Sequence, residues 1–387
     1  MTADLLTEAQ NKTPQMPVPI LDLRAQHATI REHVIAAVTA VIDKQAFILG
    51  EPVAQLERAV AVLSNARHAI GCANGTDAIL LALRALDVGR GDEVITTPFT
   101  FFATAGAIHN VGATPVFADI DADTFNISPQ AAAAALTPSS KAVIPVDLFG
   151  QMAPIDAVAA ALPALPVIED AAQAIGARRK VGDGWVRAGE SATIGTFSFF
   201  PSKNLGGYGD GGMMVTQRDD LAERLRRLRV HGGMRTYFHE EVGYNSRLDA
   251  LQAAVLSAKL PHLEEWSAAR RRNAAYYNEA FAGLTDVRTP FIDERNESIY
   301  NQYTLRVPRR DALLEHLKQR QIGAAVYYPL PLHLQPCFAY LGYSEGAFPV
   351  AEAAAREVIS LPVYPELTSA QLDEVVAAVR SFFQSAK

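Results

Sequence analysis

Lys203 stands just beyond an apolar run, Ile194 to Phe200, that reads as a buried strand closed by a turn. The segment Gly195-Thr196-Phe197-Ser198-Phe199-Phe200-Pro201-Ser202-Lys203-Asn204-Leu205 presents one lysine beside two hydroxyls. A glycine-rich loop follows, Gly206-Gly207-Tyr208-Gly209-Asp210-Gly211-Gly212. Upstream, Val167-Ile168-Glu169-Asp170 is a second buried strand with an acid at its C-terminal end. A lysine and an aspartate at neighbouring strand ends suit pyridoxal phosphate chemistry. The amine holds the aldehyde as a Schiff base, and the carboxylate keeps the pyridine nitrogen protonated. A solvated loop lysine and a helix-capping aspartate would leave the same letters, so the assignment depends on what else gathers there.

Other segments offer suitable partners. Ala73-Asn74-Gly75-Thr76-Asp77-Ala78 joins a strand to a helix. Gly75 permits close backbone approach, and free N–H groups at a helix N-terminus can hold a phosphate. Asn74 or Thr76 would equally serve as an ordinary N-cap. Pro98-Phe99-Thr100-Phe101-Phe102-Ala103-Thr104 puts three aromatics at the next strand end. One ring could stack on a flat cofactor, while at least one must pack the core. Gln173 lies one turn beyond Asp170, placed to reach a cofactor hydroxyl or to face solvent. Ser198, at a strand end, is a natural phosphate ligand.

The elements that must position these residues alternate. Ala69 to Ala73, Glu93 to Thr97, Val116 to Asp119, Ala142 to Val146 and Pro166 to Glu169 read as strands. Thr76 to Leu86 and Ala103 to Asn110 read as helices. Alternation with strands apolar on both faces predicts an α/β fold, a mainly parallel sheet with helices on both faces. Ligands in such sheets bind beyond the carboxyl ends of the strands, which puts Asn74, Thr97, Asp147, Asp170 and Ser198 on one rim. Arg247 to Phe281 reads as a long connector helix interrupted at Pro261. Beyond it, Thr304 to Val307 and Ala324 to Tyr328 read as strands. Asp311 to Arg320, Val350 to Ile359 and Ser369 to Phe383 read as helices of a smaller α+β domain. The expected organisation is a disordered tail over residues 1–16, a large domain over 17–246, and a connector with the small C-terminal domain over 247–387.

Composition excludes several classes. Of 387 residues, 49% are hydrophobic and 20% charged, as in a soluble globular protein. A net charge of −7 gives no footing for a nucleic-acid partner. The two cysteines, Cys72 and Cys337, make no disulfide framework and lack metal-ligand spacing, so no metal is expected. No apolar run approaches the roughly 20 residues of a membrane span, and the N-terminus lacks a secretory pattern. A cytoplasmic location is expected.

Together, Gly75-Thr76-Asp77-Ala78, Thr100-Phe101-x-Ala103-Thr104, Glu169-Asp170-Ala171-Ala172-Gln173, Ser198-Phe199-x-x-x-Lys203 and Gly243-Tyr244-Asn245-Ser246-Arg247-Leu248-Asp249 resemble the DegT/DnrJ/EryC1/StrS family. Those are sugar aminotransferases of aminotransferase fold type I. The resemblance runs from Phe47-Ile48-Leu49-Gly50 to Ser360-Leu361-Pro362-Val363-Tyr364-Pro365. It implies that Lys203 links covalently to pyridoxal 5'-phosphate and that Asp170 partners the ring nitrogen. Phe101 would stack on the ring, and Gln173 would contact its hydroxyl. Thr76, Asp77 and Ser198, with Gly75, would hold the phosphate. Asn245 would reach the phosphate of the neighbouring subunit, which implies a homodimer with shared active sites. Tyr327-Tyr328-Pro329-Leu330-Pro331-Leu332-His333 matches a segment near the sugar pocket, making Tyr328 and His333 candidate substrate contacts. A strand end packing on the small domain would look the same.

The segment from Ser202 to Gly212 resembles the branch that aminates carbon 3 of keto-sugar nucleotides. Carbon 4 enzymes more often show Asn-Lys-x-Ile/Leu-Thr-x-Gly-Glu-Gly-Gly. The implied activity moves an amino group from L-glutamate to a nucleotide-linked keto-sugar, in amino-sugar biosynthesis. The alternatives are amination at carbon 4, an amino-acid aminotransferase of the same fold, and a non-catalytic regulatory protein that binds the cofactor. A sugar dehydratase of the same fold would carry histidine in place of Lys203.

Overall fold

The structure is a computed structural model, and it describes residues 17–384. The expected tail, residues 1–16, lies outside the described residues. The first strands are β1 (His68–Cys72), β2 (Glu93–Thr96), β3 (Thr114–Phe117), β4 (Ser140–Ile144) and β5 (Ile168–Asp170). They are followed by β6 (Arg178–Val181), β7 (Gly184–Arg187), β8 (Ile194–Ser198) and β9 (Gly212–Thr216).

Two ladders, β3-β2-β4 and β5-β8-β9-β1, join into one sheet. Parallel bridges Val143 to Val167 and Val146 to Asp170 connect them. Every strand of this sheet runs parallel except β9, which is antiparallel to both β1 and β8. The fold is therefore the expected α/β class. The strands are buried on both faces because helices cover both. One cluster packs the helices Gly75–Ala85 and Asp219–Leu228 onto Ile70, Ile168, Ile194 and Met214. On the opposite face, the helices Glu51–Leu63 and Ala250–Lys259 meet Ala69, Phe197, Met213 and Val215.

The connector resolves as two helices, Ala250–Lys259 and Leu263–Phe281, with one tight turn, Leu260–His262, between them. Pro261 lacks the N–H that a continuous helix would need there, so it sits in that turn. In the C-terminal region, β11 (Tyr303–Arg306) pairs antiparallel with β12 (Val358–Leu361), while the short β10 (Asn296–Glu297) pairs with β6. Two expectations differ from this. The helix expected over Val350 to Ile359 is Pro349–Glu357, and it ends where β12 begins. Val358 and Ile359 are β-branched and fully buried beside β11, and Pro362 closes the strand. The strand expected over Ala324 to Tyr328 is only one bridge, Ala325 to Ser360. Val18 near the chain start bridges Ile322, and both belong to the C-terminal apolar cluster with Tyr277, Leu305, Leu313 and Val375.

Candidate active site

The carboxyl ends of β1, β5 and β8 bring the chemistry-bearing residues to one rim. Asp170 ends β5 and is buried. Its Oδ2 accepts from Thr104 Oγ1 at 2.7 Å, and its Oδ1 accepts from Ala172 N–H at 3.2 Å. No cation hydrogen-bonds it among the described residues. Burial raises its carboxyl above the ordinary range, while the Thr104 and Ala172 bonds and the charge of Lys203 oppose the rise. Such a carboxylate is oriented by neutral donors and lacks a cationic partner. A protonated pyridine nitrogen is a partner of that kind.

Lys203 follows the turn after β8, where its N–H donates to Phe200 O at 2.8 Å. Burial pushes its amine down to about 8, against the opposing charge of Asp170. The lysine and the aspartate thus sense each other, and the lysine loses its proton far more readily than a solvated one.

One close contact brings two of the expected phosphate residues together. A Cβ on Gly75 would fall 2.6 Å from Ser198 Cβ and 3.0 Å from Ser198 Oγ. Only glycine lets the helix Gly75–Ala85 start this close to the end of β8. Asn74 caps that helix by accepting from Asp77 N–H at 2.8 Å. Asp77 Oδ2 accepts from Ser246 Oγ at 2.6 Å, and the same Ser246 oxygen accepts from Ala73 N–H at 3.3 Å. Thr76, in the first helical turn, is half-buried. The set offers backbone N–H groups, two hydroxyls and a helix N-terminus, which fits a phosphate.

The remaining expected residues divide. Gln173 is buried rather than solvent-facing; its Oε1 accepts from Phe149 N–H at 2.7 Å and its Nε2 donates to Tyr328 OH at 3.1 Å. Tyr328 packs 6.2 Å from Phe101, centroid to centroid, and burial raises its phenol. Phe101 is 55% exposed, a free ring face at the rim. Phe102 instead stacks on Phe338, and Phe99 is core. His333 is buried against Phe348, with Nε2 bonded to Glu352 at 3.1 Å. Its side chain meets Glu352, Tyr343 and Phe348 rather than the cofactor residues. Asn245 is exposed and bridges Val230 through the backbone. Its side chain makes no hydrogen bond among the described residues.

Sequence reading assigned no role to Thr104 or Ser246, although both lie within the motifs. It likewise gave no role to Asp147, which it placed on the rim, or to Glu169, which lies within a motif. Both are fully buried; Asp147 Oδ1 accepts from Ala153 N–H, and Glu169 Oε2 accepts from Gly189 N–H. Their other oxygens, Oδ2 and Oε1, have no donor partner. The two carboxyls face each other, and burial pushes both upward, Glu169 to about 7. Among the described residues no cluster of His, Cys, Asp and Glu is arranged to hold a metal. No helix there is long and apolar enough to cross a membrane.

Residues 28–380 match the DegT/DnrJ/EryC1/StrS aminotransferase family. The chain belongs to this family. Its members depend on pyridoxal phosphate, and the Lys203, Asp170 and Gly75–Ser198 geometry fits that group. A pleiotropic regulatory protein of Geobacillus stearothermophilus is 51% identical over 95% of this chain and 99% of its own. UDP-N-acetyl-3-dehydro-alpha-D-glucosamine 3-aminotransferase of Acidithiobacillus ferrooxidans is 45% identical over 95% of this chain and 98% of its own. The X-ray structure of S. venezuelae DesV matches with a TM-score of 0.92 at 40% identity, over 95% of this chain and 98% of that one. As a DegT/DnrJ/EryC1/StrS protein with lysine at the strand end, this chain is an aminotransferase.

Proposed function

We propose that this aminotransferase moves an amino group from L-glutamate to carbon 3 of a nucleotide-linked 3-keto sugar, as a cytoplasmic homodimer. The observation that carries the reading is the buried Asp170, held by neutral donors and within electrostatic reach of a lysine whose amine is pushed down to about 8. The carbon 3 assignment is supported by the Ser202 to Gly212 segment and by the 45% identical relative named for amination at that carbon.

Pyridoxal phosphate, when bound, would supply an aldehyde to carry the amine and a ring to spread the charge left when a substrate carbon loses its proton. Asp170 holds the proton on the ring nitrogen. Thr104 and the Ala172 N–H fix the carboxylate so that this proton is not lost to reorientation. Lys203 Nζ serves as general base and acid, moving the proton to and from the reacting carbon; such catalysis contributes typically 10²–10⁴-fold. Gly75, Thr76, Asp77 and Ser198 would hold the phosphate, and Phe101 would cover the ring. Gln173, tied to Tyr328, would meet the ring hydroxyl.

A dimer is supported by apolar side chains left open: Ile48, Met234, Phe238 and Val242 are each more than half exposed. Met234, Phe238 and Val242 fall within one short stretch of chain, and exposed apolar side chains that gather into a patch mark association surfaces. Asn245 lies in the same stretch of chain and would complete the partner's site.

The test compares kcat/KM for the 3-keto and 4-keto isomers of one nucleotide sugar, with glutamate as donor. The 3-keto sugar should react faster by on the order of 100-fold, since a misplacement of about 1 Å can cost that much. Preference for the 4-keto isomer would overturn the regiochemistry. A regulatory role is the second reading, favoured by the name of the 51% identical relative. It requires no turnover, so steady production of keto acid in the presence of a keto-sugar would exclude a purely non-catalytic protein.

A further inference from the structure

The loop that follows Lys203 has five glycines in seven residues, Gly206 to Gly212. Glycine leaves the backbone free to wander, so such a loop keeps one shape only where its backbone groups are tied. Lys203 N–H donates to Phe200 O and Gly207 N–H to Phe199 O, each at 2.8 Å. Tyr208 N–H donates to Gln252 Oε1 at 2.8 Å. The Gly206 carbonyl accepts from Lys259 Nζ at 2.6 Å. Gly206 is buried, and no backbone N–H donates to that carbonyl among the described residues. Gln252 and Lys259 both stand on the helix Ala250–Lys259, so one helix grips the loop twice.

The grip reaches the turn that carries Lys203. A Cβ on Gly206 would fall 2.3 Å from Pro201 O and 2.9 Å from Phe200 O. The chain at Gly206 is thus folded back onto the start of that turn, an approach only glycine allows. Lys259 itself is only 1% exposed. Its ammonium lies 5.2 Å from the ring centroid of Tyr208 and 5.9 Å from that of Trp266. No carboxylate pairs with it within salt-bridge distance among the described residues. Glu366 acts on it only through space, and burial pushes the amine down to about 8. A charge buried against one carbonyl and two rings is costly, and methionine would fill the same space without that cost. Packing gives no reason for an amine here; the carbonyl it holds does.

We propose that Lys259 is a positioning residue: by holding the Gly206 carbonyl it fixes the turn from Phe200 to Gly206, and so the place from which Lys203 reaches the cofactor. The assignment rests on Lys203 as the covalent lysine. Its effect falls on the steps that Lys203 performs. These are joining its amine to the cofactor aldehyde, with loss of one water, and moving the proton at the reacting carbon. Steps that do not use Lys203 are spared.

The test compares wild type, Lys259→Met and Lys259→Arg in the full chain. Mixing cofactor-free protein with pyridoxal phosphate and following its absorbance reads covalent capture by Lys203. Lys259→Met should slow capture by on the order of 10- to 100-fold, as a misplacement of up to about 1 Å would. Pyridoxamine phosphate has no aldehyde for a lysine to take, so calorimetry should find it bound to Lys259→Met as tightly as to wild type. Lys259→Arg keeps a cationic donor and should recover part of the capture rate. A double-variant comparison gives the second readout. With pyridoxamine phosphate bound and methylamine added as an external base, Lys203→Ala should convert 2-oxoglutarate at a slow rate that Lys259→Met does not lower further. Affinity for pyridoxamine phosphate that falls as far as the capture rate would overturn the assignment. So would additive losses in the double variant, or wild-type capture by Lys259→Met. Should Lys259→Met fail to fold, Lys259→Gln, uncharged and shorter, decides by the same comparison, with capture slowed about tenfold expected. A wild type in which Lys203 captures no aldehyde would overturn the Lys203 assignment itself, and the role of Lys259 with it.

Discussion

Asp170 has neutral hydrogen-bond donors on both oxygens and is buried at a strand end. Asp170→Asn keeps that packing but cannot keep a ring nitrogen protonated. We expect the fold to persist and kcat to fall by at least about 100-fold, with KM changing less. Near-normal turnover with cofactor bound would rule out the role. Borohydride reduction of the cofactor-loaded protein should place the cofactor mass on Lys203, and peptide mapping reads this directly. The Asp147–Glu169 pair gives a pH prediction. Native protein retains a proton on the pair that an unfolded chain, with carboxyls near 4, releases. The native state therefore binds more protons between about pH 4 and 7. The stability is fully present below that window and is lost as pH rises through it, by up to about 1.4 kcal/mol per pH unit. Glu169→Gln should flatten the slope in urea unfolding of the cofactor-free protein at pH 5, 6 and 7. An unchanged slope would mean that the pair does not hold the proton. At this scale the sequence was informative where position alone decides. Lys203 and Asp170 could be found because strand ends in such sheets face the ligand. Thr104 bonds Asp170 across 66 residues of chain, and no local spacing reveals that. The upward shift of the Asp147 and Glu169 carboxyls comes from burial, which letters do not show.

Elements place these residues with little slack. The start of the helix Gly75–Ala85 touches the end of β8 at Gly75 and Ser198. Gly75→Ala forces these apart, at an overpacking cost of typically 1–3 kcal/mol. Cofactor affinity should drop by about tenfold or more, read by titrating pyridoxal phosphate into cofactor-free protein, while far-UV circular dichroism stays native. Affinity equal to wild type would show that the contact does not shape the phosphate site. Strand and helix positions in the parallel part were legible because a buried run between helical periods has few readings. The misreadings lie where one residue type serves two structures. Ala353, Ala354 and Ala355 continue a helical pattern into Val358 and Ile359, and only the pairing with β11 turns those two into strand. The β6–β7 hairpin turns at Gly182-Asp183, a two-residue turn signal flanked by strands too short and polar to stand out in the sequence.

On the scale of the whole molecule, the proposed homodimer is tested through the residue expected to cross between its sites. Co-expression of Lys203→Ala with Asn245→Ala chains tests whether sites are shared. If Asn245 serves the partner's site, a mixed dimer gathers both lesions in one site and leaves the other intact. Activity should then exceed that of either mutant alone. Mixed dimers that form without rescue would assign Asn245 to its own chain.

The bridge between Val18 and Ile322 has a consequence for synthesis. Ile322 leaves the ribosome on the order of 300 residues after Val18, roughly 15–60 s later at ordinary elongation rates. During that interval Val18 has no strand to pair with, although the α/β sheet around β1 and β9 can already close. The C-terminal cluster, with Val18 fully buried inside it, can complete only when the last third of the chain arrives. A ribosome paused beyond β9 would therefore hold a folded sheet with Val18 unpaired and its apolar side chain uncovered, the kind of nascent species that chaperones capture.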